Sequence, residues 1–114
     1  MSSLTRKIWV TFQKPGFHRY PAAPDDVSYL QSTHRHLFKF KVTISVEHAD
    51  REIEFHMFLN WLESLYKDTL HIDYKSCEML AHDLLNIIDT TYPGRFIEVE
   101  VAEDGECGAI VSKG

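Results

Sequence analysis

Cysteine is scarce in this chain of 114 residues, which contains only Cys77 and Cys107. Two thiols are too few for the disulfide framework that stabilises many small secreted domains, so a reducing compartment is the simpler interpretation. The first residues also lack the apolar run of a secretory signal peptide. Together these absences predict a cytoplasmic protein.

Long hydrophobic runs and dense clusters of basic residues are also missing. No stretch approaches the roughly 20 apolar residues that a membrane-spanning helix requires. Twelve Lys and Arg residues face seventeen Asp and Glu residues, which gives a formal net charge of −5. Because proteins that bind nucleic acids generally carry a basic patch, we expect contact with neither nucleic acid nor membrane.

Hydrophobic residues, in contrast, are plentiful at 44%, and aromatic residues make up 12%. This content is ample for a packed core and excludes a disordered chain. With this length, the sequence predicts a single domain that spans residues 1–114.

Alternating apolar and polar residues predict four β-strands. They lie at residues 7–12, 37–47, 95–102 and 107–111. Pro15-Gly16 is expected to end or kink the first strand, and a long loop over residues 17–33 follows it. The last two strands are joined by a tight turn.

Two helices are predicted between the second and third strands, because apolar residues there recur at helical spacing. The first covers residues 56–67, after a possible short extended piece at 52–55, and the second covers 76–89 with Ser76 as its N-cap. Residues 68–74 form a linker. The order of elements predicts an α+β fold with a four-stranded antiparallel sheet and both helices on one face.

Histidines suggest chemistry at the start of the second strand. Side chains of a strand alternate between faces, so His34 and His36 point the same way. His18, in the preceding loop, would complete a set of three nitrogen ligands and leave one zinc position open, as catalytic sites do. The alternative is a chance His-x-His at a polar strand start, since the chain contains seven histidines.

Five short motifs resemble, in the right order, the 6-pyruvoyl-tetrahydropterin synthase and 6-carboxy-tetrahydropterin synthase family. They match its first zinc histidine and loop, its His-Gly-His pair, its Asp-Phe strand end, the start of its second long helix, and the strand that ends in its pterin-anchoring glutamate. The matching segments are Phe17-His18-Arg19-Tyr20-Pro21, His34-Arg35-His36, Glu54-Phe55, Ser76-Cys77-Glu78-Met79-Leu80-Ala81 and Glu100-Val101-Ala102-Glu103.

The resemblance implies a tunnelling fold with ββααββ topology, whose sheets join into an oligomeric barrel, commonly a homohexamer. It implies Zn²⁺ on His18, His34 and His36, and a pterin or purine-like ring held by Glu103 through paired hydrogen bonds. The implied activity is lyase chemistry on a dihydroneopterin triphosphate-like small molecule, in queuosine or biopterin biosynthesis.

The chain departs from this family at the groups that move protons. The family has a cysteine base shortly before its His-Gly-His pair, but residues 29–33 contain none. Its Asp-His pair lies between the helices, where this chain has His71 and Asp73 in inverted order. We assign the acid–base role to these two residues on the resemblance alone.

Two alternatives to this enzyme remain open from the sequence. The first is a catalytically degenerate protein that still binds a pterin or purine on the same fold. The second is a structural oligomer without a ligand, in which Glu103 is an ordinary strand-end carboxylate and His71 lies on a loop surface. For the thiols, burial as small apolar side chains is favoured over a role as nucleophiles.

Overall fold

The structure is a computed structural model that describes residues 4–114. Within that range, five strands, two α-helices and one 3-10 helix follow one another along the chain. They are β1 (Arg6–His18), the 3-10 helix (Asp25–Gln31), β2 (His34–Val46), α1 (Phe55–Ser64), β3 (Leu70–Asp73), α2 (Cys77–Thr91), β4 (Ile97–Glu103) and β5 (Cys107–Lys113). The predicted α+β class is confirmed.

The described strands form one sheet in the order β3-β1-β2-β4-β5. Strands β1 and β2 are each thirteen residues long and pair antiparallel along their whole length. The register runs from Arg6 opposite Val46 to His18 opposite His34. This ladder therefore carries the end of β1 and the start of β2 to the same edge of the molecule.

The prediction of four antiparallel strands was wrong, because residues 70–73 form an additional strand. Strand β3 pairs parallel with the end of β1, beside Gly16 and Phe17, so the sheet is mixed. This segment was predicted to be a linker, since four residues are too few to show a clear alternation. Leu70 is nevertheless buried, which anchors the short strand to the core.

Strand β1 also continues through Pro15-Gly16, where the sequence predicted an end or a kink. The reason lies in close packing at Gly16. A Cβ atom at this position would lie only 2.9 Å from Leu70 Cβ and 2.9 Å from Phe38 Cε2. Glycine therefore lets β3 and the Phe38 ring close over the strand, and β1 extends to His18.

The core lies between one sheet face and the two α-helices. Even-numbered residues of β2 from Phe38 to Ile44 are buried, as their parity predicted. The fully buried large side chains are Phe38, Phe40, Val42, Ile44, Phe58, Leu62, Leu84, Ile88, Ile97, Val99 and Val101. No helix in the described part of the chain combines the length and hydrophobicity that crossing a membrane requires.

Both α-helices begin at side-chain caps. The Ser76 hydroxyl accepts a hydrogen bond from the Met79 N–H at 3.1 Å, which confirms the predicted N-cap. The Glu54 carboxylate accepts hydrogen bonds from the backbone N–H groups of His56 and Met57. Glu54 therefore caps α1 instead of ending a strand.

A bidentate ion pair closes the end of the sheet away from the histidines. Arg95 donates from Nη1 and Nη2 to the two carboxylate oxygens of Glu52, at 2.9 and 2.6 Å. Arg95 Nη1 also donates to the carbonyl of Ser45 at 3.0 Å. The hydrogen bonds from Arg95 to Glu52, with one from the Glu47 N–H, lower the pKa of Glu52 to about 2.

This ion pair predicts a specific pH dependence of stability. Because the pKa of Glu52 is lower in the folded state than its ordinary value of 4.5, the ionised pair stabilises the fold above that value. The contribution declines as the pH falls from 4.5 towards about 2. We expect Glu52→Gln to lower the free energy of unfolding at pH 7, with a difference from wild type that shrinks at acidic pH. Urea unfolding at several pH values measures it.

The control for this prediction is Asp50→Asn, which removes the partner of Arg51 in an ion pair whose side chains are 85% and 79% exposed. Exposed ion pairs contribute little, so this variant should match wild type at all pH values. A difference for Glu52→Gln that stays constant from pH 7 to pH 3 would contradict the prediction.

Candidate metal centre

Three histidine rings meet where β1 ends and β2 begins. The ring centroids of His18, His34 and His36 are separated by 4.7, 5.1 and 4.9 Å. One nitrogen from each ring lies within 4.8 Å of the other two. The β1–β2 ladder produces this arrangement, because it sets His18 opposite His34 and places His36 two residues further along.

A hydrogen bond orients each of the three rings from behind. Nδ1 of His18 lies 3.0 Å from the carbonyl of Lys75, and Nδ1 of His34 lies 2.8 Å from the carbonyl of Ser32. A carbonyl oxygen only accepts, so both Nδ1 atoms carry protons. Nε2 is then the nitrogen of each ring that could bind a metal ion, as in metal sites whose ligands are held by outer hydrogen bonds.

The third ring, His36, is held by a carboxylate. Its Nδ1 donates to Asp104 Oδ2 at 2.7 Å, and Asp104 Oδ1 accepts the Leu37 N–H at 2.8 Å. Those two bonds, the backbone one first, lower the pKa of Asp104. Asp104 has a φ of +57°, followed by Gly105 at +73°, which forms the turn after β4. The role of Asp104 was not predicted from the sequence, although the residue lies in the predicted turn after Glu103.

His36 Nε2 is buried without a hydrogen-bond partner among the described residues. Leaving such an atom unsatisfied costs about 1–3 kcal/mol, so it calls for a missing partner. A metal ion shared with the other two imidazoles would satisfy it. The three histidines therefore fit a divalent transition-metal ion, for which imidazole is a preferred ligand.

The outer hydrogen bond from Asp104 leads to a prediction for metal affinity. We expect Asp104→Ala to weaken Zn²⁺ binding by about 10–100-fold, because His36 loses the group that fixes its tautomer and orientation. Asp104→Asn should lose less, since asparagine tolerates positive φ and keeps one acceptor. Competition with a chromophoric chelator measures the affinity.

The matched control is Glu106→Gln, which removes one negative charge from the same turn at an exposed position. If Glu106→Gln and Asp104→Ala weaken Zn²⁺ binding equally, then Asp104 acts only through its charge and does not orient His36.

A cleft of about 540 Å³ opens beside the three histidines. It lies between the end of β1, the start of β2 and the start of α2. Its lining includes His18, His34, Glu103, Arg19, Tyr20, Leu30, Tyr74, Lys75, Ser76, Cys77, Glu78, Met79, Cys107 and Gly108.

Cys77 is buried as predicted, but Cys107 is exposed. Burial, with a smaller effect of Glu103, raises the pKa of Cys77 to about 12, so this thiol remains protonated at neutral pH.

Glu103, the predicted ring-binding residue, is also at this centre. Its Oε2 atom lies 2.9 Å from His18 Nε2 and 3.7 Å from His36 Nε2. Strand β4 pairs with β2 so that Glu103 lies opposite Phe38, two residues from His36. The carboxylate therefore borders both the histidines and the cleft.

The two residues assigned to acid–base work lie elsewhere in the protomer. His71 is exposed and stacks on Phe17 with centroids 5.6 Å apart. Phe17 and His18 point to opposite faces of β1, so His71 lies on the face away from the three histidines. Asp73 pairs in register with His18, but its carboxylate accepts a hydrogen bond from Arg19 Nε at 2.6 Å.

Neither a protein-family model nor a curated protein matches this sequence. Among solved structures, the chain is similar to the uncharacterized protein WS1659 from Wolinella succinogenes. The TM-score is 0.75 at 16% sequence identity, and the match covers 98% of this chain and 100% of the other. At this level of identity the similarity shows a shared fold and nothing about function.

Proposed function

We propose that this protein is a zinc-dependent lyase of the 6-pyruvoyl- or 6-carboxy-tetrahydropterin synthase type, acting on a dihydroneopterin triphosphate-like substrate. The observation that carries the proposal is the convergence of His18, His34 and His36 beside a cleft. Three histidines with space for a further ligand are the pattern of catalytic zinc sites. The sequence motifs support the choice of this family, and the cleft is large enough for a pterin-like ring.

The residues of this centre have distinct tasks in the proposed reaction. The three imidazoles hold Zn²⁺, which, when bound, acts as a Lewis acid on a substrate oxygen. The cleft volume of about 540 Å³ lies within the range of about 300–1,000 Å³ that small-molecule sites usually occupy. On the family resemblance, the Glu103 carboxylate accepts the paired N–H groups of a pterin or purine-like ring. Arg19 and Lys75, which line the cleft and pair with Asp73 and Asp83, would provide positive charge for phosphate oxygens.

The proposal extends to the tunnelling fold and its assembly. Both outer strands of the described sheet, β3 and β5, have one unpaired edge that another copy can pair with. Opposite the core, the sheet exposes polar residues such as Lys39 and Lys41, which would line the inside of a barrel. In a homohexameric barrel of this kind, His71 of one protomer would act in the cleft of another.

Turnover of dihydroneopterin triphosphate tests the proposal. Zinc-loaded protein is incubated with this compound, and the products are separated by liquid chromatography and identified by mass. We expect His71→Ala to abolish turnover while the zinc content is unchanged. His82→Ala, which removes an exposed histidine of α2, is the control. An unchanged rate for His71→Ala would exclude His71 from the mechanism.

A second candidate is a catalytically degenerate protein that binds a pterin or purine. Two observations favour it: residues 29–33 contain no cysteine, and the pKa of about 12 prevents Cys77 from serving as a thiolate base. Titration with a fluorescent pterin, combined with the turnover assay, separates the two candidates. The catalytically degenerate protein would quench the pterin fluorescence on binding and would form no product. A wild-type protein that binds no metal would leave only the structural oligomer.

A further inference from the structure

We propose that Glu103 is a fourth protein ligand of the metal ion held by His18, His34 and His36. The inference rests on the proposed function only for the presence of that ion. It differs from the ring-binding role that the family resemblance implies for Glu103. It concerns the resting centre, before any substrate enters the cleft.

The first argument is the position of the carboxylate relative to two imidazoles. Around a tetrahedral zinc ion with bonds of about 2.0–2.1 Å, neighbouring ligand atoms are separated by about 3.3 Å. Glu103 Oε2 lies 2.9 Å from His18 Nε2 and 3.7 Å from His36 Nε2, on either side of this value. The oxygen is therefore near a place that a fourth ligand would occupy.

The second argument comes from the lone pairs at the centre. His18 Nδ1 donates to the Lys75 carbonyl, so Nε2 is the ring nitrogen that faces Glu103 Oε2, at 2.9 Å. The same carboxylate oxygen lies 3.7 Å from His36 Nε2, which is buried without a hydrogen-bond partner among the described residues. Imidazole nitrogens and a carboxylate oxygen brought this close together offer lone pairs that a shared cation can accept. A metal ion satisfies all of these atoms together.

The third argument is that rigid structure holds Glu103 in place. It is the last residue of β4, and the turn that follows is closed on both sides. The Asp104 N–H donates to the Leu37 carbonyl at 2.8 Å, and the Glu106 N–H donates to the Glu103 carbonyl at 3.0 Å. Ligands placed on a strand end that is fixed in this way keep their geometry.

A carboxylate ligand changes what the centre does. Three neutral imidazoles and one carboxylate around Zn²⁺ leave a net charge of +1 and complete four-coordination. With Glu103 bound to the ion, a substrate oxygen would have to bind beside this carboxylate or displace it. The protein would thus hold zinc in a closed resting state, and substrate entry would open it.

Cobalt substitution tests the inference without any activity measurement. The visible absorption bands of Co²⁺ report the number and type of its ligands. Wild type, Glu103→Gln and Glu106→Gln are loaded with Co²⁺, and their Zn²⁺ affinities are measured by chelator competition. We expect Glu103→Gln to change the Co²⁺ spectrum and to weaken Zn²⁺ binding by at least about 10-fold, the smallest loss typical of even an outer partner. Glu106→Gln should behave as wild type.

The outcomes separate this inference from the proposed function. Identical spectra and affinities for wild type and Glu103→Gln would overturn the fourth ligand, while the zinc centre would stand. A wild-type protein that binds neither Co²⁺ nor Zn²⁺ would overturn both. Glu103→Asp shortens the side chain but keeps the carboxylate, and it serves as a second test if the glutamine variant does not fold. We expect Glu103→Asp to give a third, distinct Co²⁺ spectrum.

Discussion

Replacing His34 by alanine is expected to weaken Zn²⁺ binding by more than about 100-fold, since losing even an outer partner of a ligand costs about 10–100-fold. His34 is partly exposed at the start of β2, and within residues 4–114 its side chain hydrogen-bonds only to the carbonyl of Ser32, two residues earlier. The fold should therefore survive the substitution. Zinc content after dialysis and competition with a chelator measure the loss.

His82→Ala controls for non-specific binding of zinc by surface histidines. His82 is exposed on α2 and belongs to no cluster of metal-binding side chains in residues 4–114. We expect this variant to retain about one ion per chain. Equal zinc content in wild type and His34→Ala would exclude His34 as a ligand and would refute the three-histidine centre.

The second large effect is expected for Phe38→Ala. Phe38 is completely buried, and truncation of such a ring costs about 3–5 kcal/mol. Domains are typically stable by only about 5–15 kcal/mol, so this is a major part of the total. The same ring contacts His18 and His36, with centroids 5.1 and 5.9 Å apart. We therefore expect lower metal affinity as well as a lower free energy of unfolding.

Phe40→Ala provides the matched control for this double effect. Phe40 is equally buried and stacks on Phe12 at 4.6 Å, but among the described residues its ring contacts no histidine. Urea unfolding with chelator present should show similar losses of stability for both variants. Zinc affinity, measured where both are folded, should fall for Phe38→Ala alone. Equal affinities would show that the Phe38 ring does not support the metal centre.

The sequence predicted the parts of the molecule that depend on local periodicity. Even-numbered residues of β2 point to the core, and His34 and His36 share that parity, so their common face followed directly. The class of fold and the cap at Ser76 were also visible locally. His18 was added as the histidine of the loop that precedes this pair, and the long β1–β2 ladder explains why it lies beside His34.

What the sequence did not predict depends on contacts between distant residues. Strand β3 exists because Leu70 packs into the core and its backbone meets the end of β1, which no four-residue pattern indicates. Asp104 reaches His36 from 68 residues away, so no local motif pairs them. His71 lies away from the three histidines because β3 pairs with β1 beside Phe17. The predicted linker did not include this strand pairing.

The antiparallel ladder between β1 and β2 separates two properties of the site, the spacing of the imidazoles and the shape of the cleft. The imidazole spacing is fixed by backbone pairing on either side of residues 19–33, whereas Tyr20 and Leu30 from that loop form part of the cleft wall. Variation in the length or composition of the loop would thus change the shape of the cleft and leave metal binding by the three histidines intact. An insertion of a single residue inside β2 would do the reverse, because it would rotate His34 and His36 to the opposite side of the sheet.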